Sequence, residues 1–291
     1  MHLVTGATGQ VGRRIVRLIR DREEPVRAFV RLSARYGELD QRGAEIFVGE
    51  LEDTRDIQRA CRGVRVILST HGSTGNPQRL DYRANIELID AAKDNGVEHF
   101  VFISVLGADR GYEDAPIFKA KREVEKYLAA SGLNYTILRP SGLASELIAS
   151  AERCRDSGIY VLVGDPGNRT SIVSTDDLAD IAVASMTAEG AKNRTFSVGG
   201  PDVLKREDIP SVYGRILDRE PVVINVPLPV VDFVRAGVGF FDTDLQCNLG
   251  TFRTLLANEF YCTPEEIELL ESTFGLKLES LEGFLRRYLG F

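Results

Sequence analysis

Leu3-Val4-Thr5-Gly6-Ala7-Thr8-Gly9-Gln10-Val11-Gly12 decides the fold: a short apolar strand runs into a glycine-rich turn, and the amphipathic run Arg13 to Arg20 follows it. Each glycine has its own job in such a strand-turn-helix unit. Gly6 permits the tight turn, Gly9 lets backbone approach a pyrophosphate, and Gly12 allows close packing of helix on strand. A helix starting near Gly9 to Val11 points its unpaired N–H groups and the positive end of its dipole at a phosphate, so no lysine is needed there. The turn contains none. Gly6, Thr8, Gly9, Gln10, Val11 and Gly12 are therefore expected to cradle the phosphates of a dinucleotide.

Outward from that turn, apolar strand-like runs alternate with helical segments as far as Pro140, the pattern of a parallel sheet covered on both faces. The spacing predicts strands at Leu3–Thr5, Val26–Val30, Glu45–Val48, Val64–Ser69, His99–Ser104 and Tyr135–Leu138. Helices are predicted between them at Gly12–Asp21, Thr54–Arg62, Leu80–Asn95 and Phe118–Ser131. Gly96 and Gly132 stand where helices should end. Beyond Pro140 the rhythm changes. Helices are expected near Leu143–Ser157, Asp176–Ala188, Lys205–Leu217 and Pro229–Phe241, with short strands around Ser171–Ser174, Thr195–Val198 and Val222–Val226. Thr263-Pro264-Glu265-Glu266 reads as a capped helix start, and a last helix is expected near Leu278–Tyr288. The expected architecture is α/β: a Rossmann-type doubly wound parallel sheet over residues 1–140, with a smaller C-terminal α+β lobe over 141–291 whose chain crosses back to the sheet. Ligands of such sheets bind at the carboxyl ends of the strands.

Composition narrows the function. Cys61, Cys154, Cys247 and Cys262 form no CxxC pair, which suits a reducing compartment and inert thiols. His2, His71 and His99 are scattered, so no metal site is expected. A net charge of −7 argues against a nucleic-acid surface. Apolar runs stop short of a membrane span, and a strand that begins by Leu3 leaves no room for a signal peptide, so the expected location is the cytoplasm.

The second strand should end beside the adenosine ribose, where the side chain reports cofactor choice. That residue is Arg31, nineteen positions after Gly12. A carboxylate there would hold the 2′-hydroxyl of NAD, whereas an arginine pairs with the 2′-phosphate of NADP. NADP(H) is expected first and NAD(H) second, with Arg35 as a further contact or a solvated loop cation.

At this point the chain resembles the short-chain dehydrogenase/reductase superfamily in its atypical, NmrA-like branch. The resemblance rests on Thr5 to Gly12, Val26 to Arg31, Gly49-Glu50-Leu51-Glu52-Asp53, Gly96 to Ser104 and Ser131 to Pro140. It extends through Ser171 to Ala179 and Val198-Gly199-Gly200-Pro201, and thins beyond Pro221. It implies that Glu50 and Leu51 meet the adenine, with Glu50 longer than the family's aspartate. Ser69, Thr70 and His71 would line the ribose and pyrophosphate. Pro140, Ser141, Gly142 and Leu143 would flank the nicotinamide, whose pro-S hydride would be transferred. On its own residues His71 reads as a hydrogen-bonded structural histidine ahead of an acid or ribose ligand.

Reductases of this superfamily use a serine, a lysine and a tyrosine four residues before that lysine: the ammonium lowers the phenol's pKa and holds the ribose, while the phenol passes a proton to the oxygen that gains hydride charge. The resemblance places Ser104 and Lys121 in two of these roles. The third position is Ile117, which cannot transfer a proton. Tyr112, the nearest phenol, lies in the polar loop Asp109–Asp114. The alternative for Lys121 is a surface cation paired with Glu125 one turn on. The expected function is an NADP(H)-dependent oxidoreductase of a small carbonyl, enone or quinone-type substrate, held in a cleft between the lobes and reduced without the usual tyrosine. The proton would then come from Lys121, water or the substrate. A catalytically silent NAD(P)-binding regulator or assembly factor, with a protein partner, is the alternative. The apolar stretch Pro221–Phe241 reads first as a strand and helix packed over the substrate cleft. Its second reading is a docking surface anchored by Phe233, Phe240 and Phe241.

Overall fold

The computed structural model describes residues 1–72, 77–112, 115–238 and 243–290. Seven parallel strands form the main sheet: β1 (His2–Thr5), β2 (Val26–Val30), β3 (Glu45–Val48), β4 (Val66–Ser69), β5 (His99–Ile103), β6 (Asn134–Pro140) and β9 (Arg194–Val198), in the order β3-β2-β1-β4-β5-β6-β9. Consecutive residues face opposite sides, so a strand buried on both faces must be apolar throughout. Leu3, Phe29, Ile67, Phe100 and Ile137 enter one core layer. Their neighbours Val4, Ala28, Leu68, Val101 and Leu138 enter the other.

The first layer is closed by α3 (Thr54–Ala60), α4 (Asn85–Asp94) and α5 (Pro116–Ala130), through Ile57, Leu88, Ile89, Val124 and Leu128. The second is closed by α1 (Gln10–Asp21), α7 (Thr175–Ala184) and α11 (Pro264–Phe274), with Leu39 of the short α2 (Gly37–Gln41) added at its edge. Residues beyond 140 thus return to the sheet as β9 and cover it as α7 and α11. Asp176 at the start of α7 ties this layer together. Its carboxylate accepts from Arg14 at 2.5 Å and from Arg287 at 2.8 Å, joining α1 to α12 (Leu281–Leu289).

A separate core of Ala151, Cys154, Val212, Tyr213, Phe284 and Leu285 unites α6 (Ser145–Ser157), α8 (Ile209–Leu217) and α12. Over it lie two small sheets: β7 (Ile159–Val163) parallel to β11 (Val222–Val226), and β8 (Arg169–Thr170) antiparallel to β10 (Leu204–Lys205). The helices α9 (Leu228–Val238) and α10 (Thr243–Ala257) follow.

Several expectations are corrected. Ser171–Ser174 is not a strand: Ser171 donates its N–H to Phe260 and accepts from Cys262 through its hydroxyl, Val173 bridges Leu143, and Ser174 caps α7. Helix Leu80–Asn95 opens with a wide π-type turn, Gln78–Ala84, before α4. The last helix begins at Leu281 because Ser280 caps it. The strands β7, β8 and β10 and the helices α2 and α10 were not predicted. Thr263 caps α11 reciprocally with Glu266, as its sequence suggests. Among the described residues no helix is long and apolar enough to cross a membrane.

Candidate functional site

The β1–α1 turn is built as its glycines require. Gly6 sits at φ +68°, and a Cβ on it would lie 2.7 Å from the backbone nitrogen of His71. A Cβ on Gly12 would lie 2.2 Å from the Gly6 carbonyl oxygen, so only glycine lets α1 approach β1 this closely. Gly9 donates its N–H to that carbonyl at 2.9 Å and caps α1 with no side chain, leaving the first-turn N–H groups for an anion. The Val11 side chain is buried in the core, so that residue can offer only its N–H. Gln10 is exposed at the first helical position.

The cleft in front of this turn, about 280 Å³, is lined by Gly6, Thr8, Gly9, Arg31, Glu50, Leu51, Thr70 and His71. Arg31 is exposed there and its guanidinium makes no hydrogen bond or ion pair with a described residue, and neither does that of Arg35. Glu50 is also exposed, with its backbone N–H held by Asp56 at 2.9 Å. A glycine cradle, an uncapped helix N-terminus and an uncommitted guanidinium together fit a phosphorylated dinucleotide.

Ser69, Thr70 and His71 turn much of their polarity toward the fold. Ser69 donates to Asn85 Oδ1 at 2.6 Å and Thr70 to the Thr5 carbonyl at 2.8 Å. His71 donates from Nε2 to the Leu80 carbonyl at 3.1 Å, which leaves Nδ1 to accept from the Thr5 hydroxyl at 2.8 Å. Burial, with the Lys121 charge beside it, holds this imidazole well below its ordinary pKa, so the ring is neutral. It is a structural histidine at the edge of the cleft.

Lys121 is 6% exposed. Its ammonium donates to the Ile103 carbonyl at 3.0 Å, lies 3.5 Å from both the His71 carbonyl and the Asp81 carboxylate, and sits over the Phe102 ring. It is therefore neither a surface cation nor a partner of Glu125. Ser104 donates to Glu125 Oε1 at 2.7 Å, and that buried carboxylate also receives Arg139 bidentately, at 2.8 and 2.7 Å, and Arg122 at 3.0 Å. Ile117 packs in an apolar cluster with Phe118 and Phe260, and the Tyr112 ring is held against the same two rings at 5.2 and 5.7 Å. Asp114 lies outside the described residues.

A second cavity, about 450 Å³, opens at the carboxyl end of β6. Ser141, Gly142 and Leu143 form one wall. The others come from α6, β7, α10 and the segment after it, and the start of α8 with the turn before it, among them Leu147, Leu162, Ile209, Phe252, Leu255 and Phe260. Ser141 is fixed through its hydroxyl on the Ser171 carbonyl and its N–H on the Val198 carbonyl. Neither Lys121 nor Ser104 lines this cavity or the first cleft.

Four of the polar groups in the second cavity, Tyr160, Arg206, Glu146 and Arg153, were not singled out from sequence. Tyr160 stacks edge-on against Tyr213 at 5.5 Å. Burial pushes its phenol up, and the Arg206 guanidinium pulls it down. Nothing local in the sequence announces this pair: Tyr160 sits inside the apolar run Ile159–Val163, and Arg206 inside the charged run Lys205-Arg206-Glu207-Asp208.

Among its described residues, the segment 221–241 contributes none to the lining of the cavity. Val222 and Ile224 are exposed on β11, and Phe233 is 82% exposed on α9. Phe240 and Phe241 lie outside the described residues. Cys61, Cys154 and Cys262 are buried free thiols, two of them pushed up to about 12 by burial, and no metal-binding cluster occurs among the described residues.

Comparison with known proteins agrees with this geometry. The chain is 28% identical to the photosystem II assembly factor Ycf39 of Cyanophora paradoxa, over 98% of this chain and 91% of that one. It is also 28% identical to an NAD(P)H azoreductase of Xenophilus azovorans, over 82% of each. The fold is shared with the NADPH-dependent quinone oxidoreductase QOR2 of Escherichia coli in its NADPH complex, at TM-score 0.78 and 22% identity, over 99% of this chain and 100% of that one. Residues 6–189 match the family described as NAD(P)H-binding, and the chain belongs to that family, in the atypical short-chain dehydrogenase/reductase branch that its motifs resemble.

Proposed function

We propose that this protein is an NADP(H)-dependent reductase of an apolar acceptor carrying a carbonyl, enone or quinone oxygen. One observation carries the reading: the glycine cradle with its uncommitted Arg31 and the apolar-walled cavity beside Ser141–Leu143 both open at the carboxyl edge of one sheet. Arg31 follows β2 and Ser141 follows β6, four strand spacings away and thus about 19 Å apart across the sheet. That is a span for an extended dinucleotide lying over the switch between β1 and β4. The residues that would hold it are Gly6 to Gly12 at the pyrophosphate, Arg31 at the 2′-phosphate, Glu50 and Leu51 at the adenine, and Pro140 to Leu143 at the nicotinamide. The bound cofactor supplies hydride.

The chain's own part is to exclude water with Leu143, Leu147, Leu162, Phe252 and Leu255, and to orient the acceptor against the Ser141–Leu143 wall. Lys121 and Ser104 hold the ends of β5 and the loops beside it in place. Their internal bonds favour this positioning role over a part in moving protons to the acceptor.

A second reading has its own support. The azoreductase and quinone oxidoreductase are reductases by name, whereas Ycf39 is an assembly factor and is similar over almost the whole chain. Ile117 at the phenol position and the engaged Lys121 and Ser104 suit a protein that binds the dinucleotide without turning it over. NADPH consumption with a panel of quinones, enones, carbonyls and azo dyes separates the two. Turnover with any of these classes supports the reductase, and tight NADPH binding without turnover across all of them supports the binding protein.

A further inference from the structure

We infer that Tyr160 is the proton donor of the reaction and that Arg206 tunes it, a phenol–cation pair contributed by β7 and the turn before α8 in place of the one lost at Ile117. The inference rests on the reductase reading above.

Four observations converge on this pair. First, Tyr160 lines the same cavity as Ser141, Gly142 and Leu143, the residues placed at the nicotinamide. Second, its ring is oriented: Tyr213 is fully buried and anchored by its hydroxyl to the Leu147 carbonyl at 3.2 Å, and Tyr160 packs on it at an interplanar angle of 73°. Third, the Tyr160 hydroxyl makes no hydrogen bond with a described residue, so it is available to an acceptor oxygen. Fourth, Arg206 lines the cavity as a half-buried cation held by the carbonyls of Val163 on β7 and Leu255 on α10, with no carboxylate within ion-pair distance among the described residues.

The chemistry balances. Hydride adds to the carbonyl carbon, or to the β-carbon of an enone, and the electron pair moves to oxygen. That oxyanion takes the proton from the Tyr160 O–H, and the phenolate is reprotonated from solvent at the cavity mouth, so one NADPH and one proton are consumed for each acceptor reduced. A phenol suits this step because it stays protonated at neutral pH, and its basicity is close to that of an enolate.

Among the described residues, the charged and titratable groups around Tyr160 are Glu146, Arg153 and Cys154 from α6, Arg206 from the turn before α8, and Tyr213 from α8, while Asp165 acts on Arg206. The strand β11 contributes none. Burial raises the phenol, and Arg206 is the cation that opposes it.

The test is NADPH oxidation by the full chain with a cyclic enone and a naphthoquinone, followed across pH, with NADPH affinity measured in parallel. Tyr160→Phe keeps the ring on Tyr213 and should lower kcat by about 100-fold while leaving NADPH affinity unchanged. It should also remove the high-pH fall in kcat that marks ionisation of the phenol. Arg206→Met should move that fall to higher pH, because the cation that lowers the phenol's pKa is gone, and Arg206→Lys should bring it back. A Tyr160→Phe enzyme with the wild-type kcat and pH profile overturns the inference and leaves the reductase reading standing. A wild-type protein that binds NADPH but reduces neither acceptor overturns both.

Discussion

Arg31 carries the choice of cofactor on one side chain. It projects into the nucleotide cleft with no partner among the described residues, so a 2′-phosphate gains a charge-assisted bond without breaking another. Arg31→Ala should weaken NADPH binding by about tenfold and leave NADH binding unchanged, measured by titration calorimetry. Equal losses for both dinucleotides would remove the 2′-phosphate assignment. His99 carries a prediction of another kind. Its Nε2 donates to Thr136 at 3.0 Å, since the Thr136 hydroxyl is itself donating to the Ala191 carbonyl at 2.9 Å. Burial pushes the ring down to about 4 from 6.5. Between those values the unfolded chain binds a proton that the folded chain refuses, so the stability is fully present above pH 6.5 and is lost as pH falls toward 4, to a total of about 3 kcal/mol. Asp177, pushed up to about 6 by burial, acts in the opposite sense over an overlapping range. The measurement is therefore the difference in unfolding free energy between wild type and His99→Gln, which should shrink as pH drops through that window. Parallel curves would show that the ring is not held neutral.

Among elements, the β1–α1 unit has the least freedom. A methyl on Gly12 would press on the Gly6 carbonyl and push α1 off the sheet. Gly12→Ala should cost about 3 kcal/mol in denaturant unfolding and weaken NADPH binding with it, whereas a variant of wild-type stability would mean that the helix tolerates a wider separation. This unit was legible in the sequence because the positive φ of Gly6 and the close approaches at Gly9 and Gly12 are demands made within the turn itself, even though Gly6 also makes room for the backbone of His71. The strands β1, β2, β4 and β5 were legible because burial on both faces leaves near-continuous apolar runs such as His99–Ile103. The strand β7 was not: Ile159 and Val161 are exposed, its partner β11 lies some sixty residues away, and nothing local announces the pairing. The expected strand at Ser171–Ser174 failed for a related reason, since its serines bond to loops and cap α7 rather than joining a ladder.

At the scale of the whole molecule, the nucleotide cleft is a product of local sequence and the second cavity is a product of tertiary structure. Gly6, Thr8, Gly9 and Arg31, singled out by their spacing, and Glu50 and Leu51, singled out by the family resemblance, line one cleft. Lys121 lies on the predicted helix and Ser104 just past the end of β5, yet their side chains bond inward, Ser104 to the buried Glu125 and Lys121 to the Ile103 carbonyl beside the buried Asp81, pairings that helical spacing did not show. Tyr160 and Arg206 meet across forty-six residues of chain, and only the packing of α6, α8 and α10 brings them to one wall. The claim that joins the two halves is direct transfer from a dinucleotide in the first cleft to an apolar acceptor in the second cavity. Single-turnover reaction of NADPH, deuterated at the transferable hydrogen, with a cyclic enone tests it most directly. The account predicts deuterium on the β-carbon of the product and loss of one NADPH per site, and bound NADPH that survives intact in the presence of excess acceptor would contradict it.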